Sequence, residues 1–315
     1  MLPALLLLAA TTPPPAATPP AAFVALRAAD ARMATIAFRL ATANVALCRD
    51  RQNETGLLIH AADQYPRGSL AFAAPVAVEA VVPGSPAAQA GIAADDGLLS
   101  VNGQAMPAPG TGNAMTSATR DAATALLARQ PAGAPLVLTV ARGSERRTLT
   151  VRAEPGCRSE FEVLTGPTLS ARSDGRIVQV GYRFFQRFDD ASIAAVVAHE
   201  LSHTILRHRA RLEAAGVRWG ILGEFGRNAR RFRQTEADAD RLSVHLLRNA
   251  GYDPQGAVRL WRETGDEIDG GPFRSQTHPD PKARAAALAA EVATLPPAGT
   301  PDDTPAILAS RDQPL

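Results

Sequence analysis

One pentapeptide constrains this chain more than any other feature: His199-Glu200-Leu201-Ser202-His203. Residues four apart on an α-helix share a face, so two imidazoles at this spacing can reach one metal ion. Glu200 then sits alongside, placed to take a proton from a water that the metal activates. The preceding stretch, ASIAAVVA, is apolar, so the helix is expected to be partly buried. Two imidazoles and a carboxylate in such surroundings are costly unless a metal satisfies them.

A helix rigid enough for such a site has its own punctuation. Asp189-Asp190 supplies N-cap residues, and the pattern predicts a long helix from Asp190 to Ala215, stopped by Gly216. Further helices are expected over Arg233–Asn249, ended by Gly251 and Pro254, and over Gln255–Thr264. A last one starts at Asp280-Pro281, a cap followed by proline at the first helical position. The strand-like GRIVQVGYRFF precedes them all.

A catalytic metal needs a third protein ligand. A histidine ten residues after His199, the spacing of one class of zinc peptidases, would fall on Arg209. His208 is one residue off that spacing, and a continuous helix leaves it on the wrong side, suited to the surface or to a place behind a ligand. Glu236 is the better candidate, with Asp240 one turn on, able to accept a hydrogen bond from the outer nitrogen of a ligand histidine. Asp238 projects elsewhere and is expected to be solvated.

Three stretches, AVVAHELSHTILRH, TEADADRLSVHLLRNAGYDP and THPDPKARAAAL, resemble in order the HtpX-like and BepA-like zinc metalloendopeptidases. The resemblance implies one Zn2+ per chain, bound by His199, His203 and Glu236, with Asp240 supporting a ligand histidine and Glu200 as the catalytic base. It also brings His278, of the Thr-His-Pro stretch, near the active site as a second catalytic residue. The usual glycine after the second motif's Asp is Ser243, and the frequent Asn-Ala-Phe-Ala stretch is replaced by LSARSDG. A substrate is expected to lie extended beside Arg176–Tyr182.

Upstream, VAVEAVV, the turn Pro83-Gly84, SPAAQAG and SVNG follow the order of a bacterial periplasmic PDZ domain, and residues 76–155 are similar to one. Such a domain binds a peptide by strand addition. Asp95-Asp96 stands where that family has Gly-Asp, and the loop for a peptide C-terminus is expected around Tyr65–Leu70. The fold expected is therefore α+β: a small PDZ-like β domain followed by a mostly helical zincin-type domain, 160–295, with a small sheet. Residues 21–75 form an N-terminal segment of one or two helices, or a helix plus a strand.

Residues 2–10 form an apolar run too short to span a bilayer, followed by TTPPPAATPP, so 1–20 reads as a signal peptide and linker. Export places the protein in the periplasm or cell envelope; without a signal it is cytoplasmic. In an oxidising compartment Cys48 and Cys157 could close one long loop, and two free buried thiols are the alternative. Residues 296–315, rich in Pro and Asp, are expected to be disordered.

With 33 basic and 31 acidic residues the net charge is +2, too balanced for a nucleic-acid binder, and no aromatic platform or nucleic-acid motif accompanies the arginines. The partners expected are polypeptide substrates, some held by the PDZ-like domain, with no transmembrane segment in the mature chain and peripheral membrane association left open. The function expected is zinc-dependent hydrolysis of internal peptide bonds in unfolded or misassembled envelope proteins. The alternative is a PDZ-based binding or chaperone-like protein with a latent zinc site.

Overall fold

The computed structural model describes residues 20–112, 114–217, 226–268, 280–297 and 304–315. The chain opens on a single helix, α1 (Ala21–Ala43). Alanine-rich sequence with few β-branched residues favours it. Ala29, Met33, Ile36, Ala37 and Leu40 recur at three- and four-residue steps and form its buried stripe. That stripe enters the same core as Ile193, Val197 and Leu201 of the motif helix and Leu242 and Leu246 further on. The N-terminal segment is thus a wall of the peptidase-like core, although the whole PDZ-like unit separates the two in sequence.

Between them come β1 (Arg51–Glu54), β2 (Leu57–Ala61), β3 (Val76–Val81), α2 (Pro86–Gln89), β4 (Gly97–Val101), β5 (Gln104–Ala105), α3 (Ala118–Ala128), β6 (Leu136–Arg142), β7 (Glu145–Val151) and β8 (Glu154–Cys157). β2, β3, β4, β6 and β7 pair in that order, with β5 folded back on β4, around a second core of Val76, Val78, Leu98, Leu138 and Val140. β1 and β8 pair antiparallel as a separate ribbon at the base of this unit. At the same base, Cys48 and Cys157, 109 residues apart, form a disulfide.

β2 lies outside the expected limits of 76–155, yet it is the edge strand of the sheet. Residues 65–70 follow β2, so the residues leading into the edge are Thr55 and Gly56 rather than Tyr65–Leu70. Gly56 has φ +74°, and a Cβ there would lie 2.2 Å from that of Ser85, the N-cap of α2. The Asp95-Asp96 departure also has a physical account. Asp95 adopts φ +69°, a conformation Asp tolerates better than most residues. It also pairs with Arg27 of α1 at 2.9 Å. Asp96 is buried and accepts from Arg142 Nε and Nη2, both at 2.6 Å.

The chain then returns through β9 (Glu160–Leu164), β10 (Ala171–Ser173), β11 (Ile177–Gly181), α4 (Tyr182–Arg187), α5 (Asp190–Ile205), α6 (His208–Ala214), α7 (Gly226–Asn249), α8 (Gln255–Ile268) and α9 (Pro281–Val292). The small sheet has the order β10-β11-β9. β11 is its centre, so the Arg176–Tyr182 segment has no free edge beside which a substrate could lie; β10 has one. Asp189 caps α5, its Oδ1 accepting from Ser192 N at 2.8 Å. Asp280 caps α9, its Oδ1 accepting from the amides of Lys282 and Ala283.

The long helix expected over 190–215 is broken. Arg207 takes φ +54°, left-handed, and the chain restarts at His208. Residues 304–315, expected to be disordered, instead hold a 3-10 turn over Ala306–Asp312. Ile307 is buried in the main core, and the Gln313 carbonyl accepts from Arg211 Nε at 2.9 Å. An apolar anchor and satisfied backbone fix a segment whose Pro/Asp composition alone would leave it loose. No helix among the described residues is long and apolar enough to cross a membrane.

Candidate metal centre

α5 and α7 pack side by side through the main core, α5 burying Ile193, Val197 and Leu201 and α7 burying Ala239, Leu242 and Leu246. That packing brings Glu236 against the face of α5 that carries the two histidines. His199 Nε2 lies 3.2 Å from His203 Nε2 and 3.2 Å from Glu236 Oε2, and His203 Nε2 lies 3.5 Å from Glu236 Oε1. Ligands held tetrahedrally at zinc bond lengths of about 2.05 Å lie about 3.3 Å apart, so the two imidazole nitrogens and the Glu236 carboxylate are spaced as a zinc ion requires. Two imidazoles and one carboxylate also form a donor set that zinc takes in sites keeping a position open for chemistry. Among the described residues, these three form the group of acidic, histidine or cysteine side chains that could hold a metal ion.

The electrostatics point the same way. Burial alone would lower the His199 pKa, but hydrogen bonds to Asp240 and Glu236 outweigh it and lift it to about 10. The carboxylates of Asp240 and Glu236 therefore favour positive charge at the His199 ring. Burial pushes His203 down to about 4 against the pull of Glu236, and burial with the neighbouring His203 holds His208 well below the usual histidine range.

Each histidine is held from behind. His199 Nδ1 lies 2.9 Å from Asp240 Oδ1. Arg284 Nη2 also comes within 3.4 Å of that nitrogen, but the shorter contact is to a carboxylate, which can only accept, so Nδ1–H is the donor to Asp240. Arg284 itself donates to both Asp240 oxygens and stacks on Trp261, 3.5 Å from the ring centre. His203 Nδ1 lies 3.0 Å from His208 Nδ1. Asp238, expected in solvent, is buried and lies 3.8 Å from Arg211. Ser243, standing for the usual glycine, is buried and folds its hydroxyl onto the Asp240 carbonyl at 2.7 Å.

A cavity of about 330 Å³ opens on this group, lined by His199, Glu200, His203 and Glu236, with Trp261 on one wall and β10 on another. Glu200 is 8% exposed. His278 lies outside the described residues. Arg284 is the functional neighbour that the sequence reading passed over. It lies inside the quoted stretch THPDPKARAAAL, and a basic residue in the first turn of a helix, against the helix dipole, was the available signal.

Comparison with known proteins agrees with this layout. Residues 77–142 match the PDZ domain family, and residues 228–292 match peptidase family M48. The second match covers α9 and most of α7, with Glu236, Asp240 and Arg284; it begins after the His199–His203 pentapeptide. No curated protein matches the chain. A crystal structure of the HtrA3 PDZ domain bound to a phage-derived ligand (FGRWV) is similar at 20% identity, covering 34% of this chain and 88% of that one, with a TM-score of 0.24. The chain thus carries a PDZ domain at 77–142 followed by a peptidase family M48 domain at 228–292, an arrangement consistent with a zinc metalloendopeptidase of the HtpX-like and BepA-like kind.

Proposed function

We propose that this chain hydrolyses internal peptide bonds of extended, unfolded polypeptides at the His199–His203–Glu236 centre. The observation that carries the reading is the spacing of those ligand atoms inside a cavity that also holds a buried carboxylate, Glu200. Zinc held by the three side chains would acidify a water and polarise the scissile carbonyl. Glu200 takes the proton from that water and delivers it to the departing amine nitrogen as the C–N bond breaks. Asp240 keeps the His199 ring in the tautomer that leaves Nε2 free to ligate, and Arg284 keeps Asp240 ionised. His278 is proposed to steady the oxyanion.

β10 is an edge strand of the small sheet and its residues line this cavity, so a substrate binds there as an added strand. Compact proteins cannot offer such a segment, whereas unfolded or misassembled ones can. The PDZ sheet has a second free edge in β2, facing a cavity of about 530 Å³ lined also by α3, α1 and β9. A chain held on β2 would lie against the peptidase core. The Cys48–Cys157 disulfide fits an oxidising compartment, and with it a site of action in the periplasm or cell envelope.

The test is chelator-sensitive cleavage of an unfolded reporter protein by the purified chain. Activity lost on chelation and restored by added zinc is expected; cleavage that survives complete metal removal contradicts the proposal.

A further inference from the structure

The break at Arg207 has a geometric consequence at the metal centre. On a continuous helix, a residue five places after His203 lies about 140° round the axis, away from the ligand. Here the helix ends at Ile205, Arg207 takes φ +54°, and α6 restarts at His208. The turn swings the His208 ring back, 1% exposed, with its Nδ1 3.0 Å from His203 Nδ1 and the rings edge-to-face at 80°. A non-glycine residue in the left-handed region costs on the order of 1 kcal/mol, and such strain persists where the surroundings enforce it.

The hydrogen bond has only one workable sense. If His203 offers Nε2 to a metal, its Nδ1 carries the hydrogen, so His208 Nδ1 must accept and His208 carries its own hydrogen on Nε2. That Nε2 is buried and meets no hydrogen-bond partner among the described residues. A buried N–H left unmade is destabilising. Packing alone would be better served by a leucine or phenylalanine at this position. The imidazole is retained at a cost to the fold, and its one polar contact is to the ligand ring.

We propose that His208 is a positioning residue for the metal centre: a neutral acceptor that fixes the tautomer and ring plane of His203. The inference rests on the zinc reading above. The two ligand histidines are thereby supported differently. His199 leans on a carboxylate, which Arg284 balances, and His203 leans on an uncharged ring, so the second support adds no negative charge to the site.

The test measures zinc affinity by chelator competition, alongside thermal stability of the metal-free chain, in wild type and His208→Leu. The expected result is a split: zinc held about 10–100-fold more weakly, the loss usual for an outer-shell partner of a metal ligand, with metal-free stability unchanged or raised. Zinc affinity within twofold of wild type overturns the proposal, and so does weakened binding matched by a parallel loss of metal-free stability. Should His208→Leu fail to fold, His208→Asn and His208→Ala replace it. Asn offers a carbonyl acceptor and is expected to hold zinc more tightly than Ala; equal affinities overturn the proposal. Wild type that binds no zinc at all would instead sink the metallopeptidase reading, a failure distinct from these.

Discussion

Arg284 grips Asp240 through two nitrogens, Nε to Oδ2 at 2.8 Å and Nη2 to Oδ1 at 2.6 Å, with both residues almost fully buried. Its Nη2 also comes within 3.9 Å of Glu236. One cation thus offsets two carboxylates that flank the candidate metal position. Breaking a buried pair from one side leaves the other charge uncompensated, typically at about 3–5 kcal/mol. Arg284→Met is therefore expected to destabilise the metal-free chain by that order, and saturating zinc should recover part of the loss by replacing the missing positive charge. Urea unfolding with and without zinc checks this; equal losses in both states contradict it.

The disulfide closes a loop that contains the whole PDZ sheet, tying the end of the α1 region to β8. For a sequence separation of 109 residues, the chain-entropy model gives about 4–5 kcal/mol. The double substitution Cys48→Ala, Cys157→Ala is expected to lower the denaturant midpoint correspondingly while leaving cleavage by the folded fraction intact. A midpoint unchanged from wild type would remove the disulfide from the account of stability.

A pH dependence follows from the seam between α1 and β3. Burial raises Asp30 to about 6, partly offset by its hydrogen bond with Glu79 and by Arg120, and raises Glu79 to about 8, partly offset by Arg27 and Arg120. In both, the folded pKa lies above the unfolded one, so the folded chain binds more protons between about pH 4 and 8 and stability falls as pH rises through that window. Glu79→Gln cannot ionise, so its melting temperature relative to wild type should climb from pH 5 to pH 8. Parallel curves for the two proteins would contradict the assignment.

Much of the metal centre was legible because its parts are local. His199, Glu200 and His203 sit on one helix whose cap, Asp189, directly precedes the predicted start at Asp190, and Glu236 and Asp240 are one turn apart on the next long helix. What the chain order hid is what the tertiary structure decides. The N-terminal segment reads as one or two helices, or a helix plus a strand, and only packing shows that α1 completes the peptidase-like core across the PDZ unit. β2 is short and half-buried, so its membership in the sheet emerges only from pairing with β3. Position 207 is neither glycine nor asparagine, so nothing announces its left-handed turn, and it is that turn which settles His208 behind His203 and not at the surface. Residues 304–315 close a stretch whose prolines and aspartates suggest a loose tail, and it is the burial of Ile307 that anchors them.

The most direct test of the central claim compares wild type with Glu200→Gln in zinc content and in cleavage of an unfolded reporter. The substitution preserves size and leaves His199, His203 and Glu236 in place while removing the group that moves the proton. One zinc per chain is expected in both proteins, with cleavage lowered by at least about 10²-fold in the variant. Cleavage by Glu200→Gln at the wild-type rate, with zinc bound, would contradict the account.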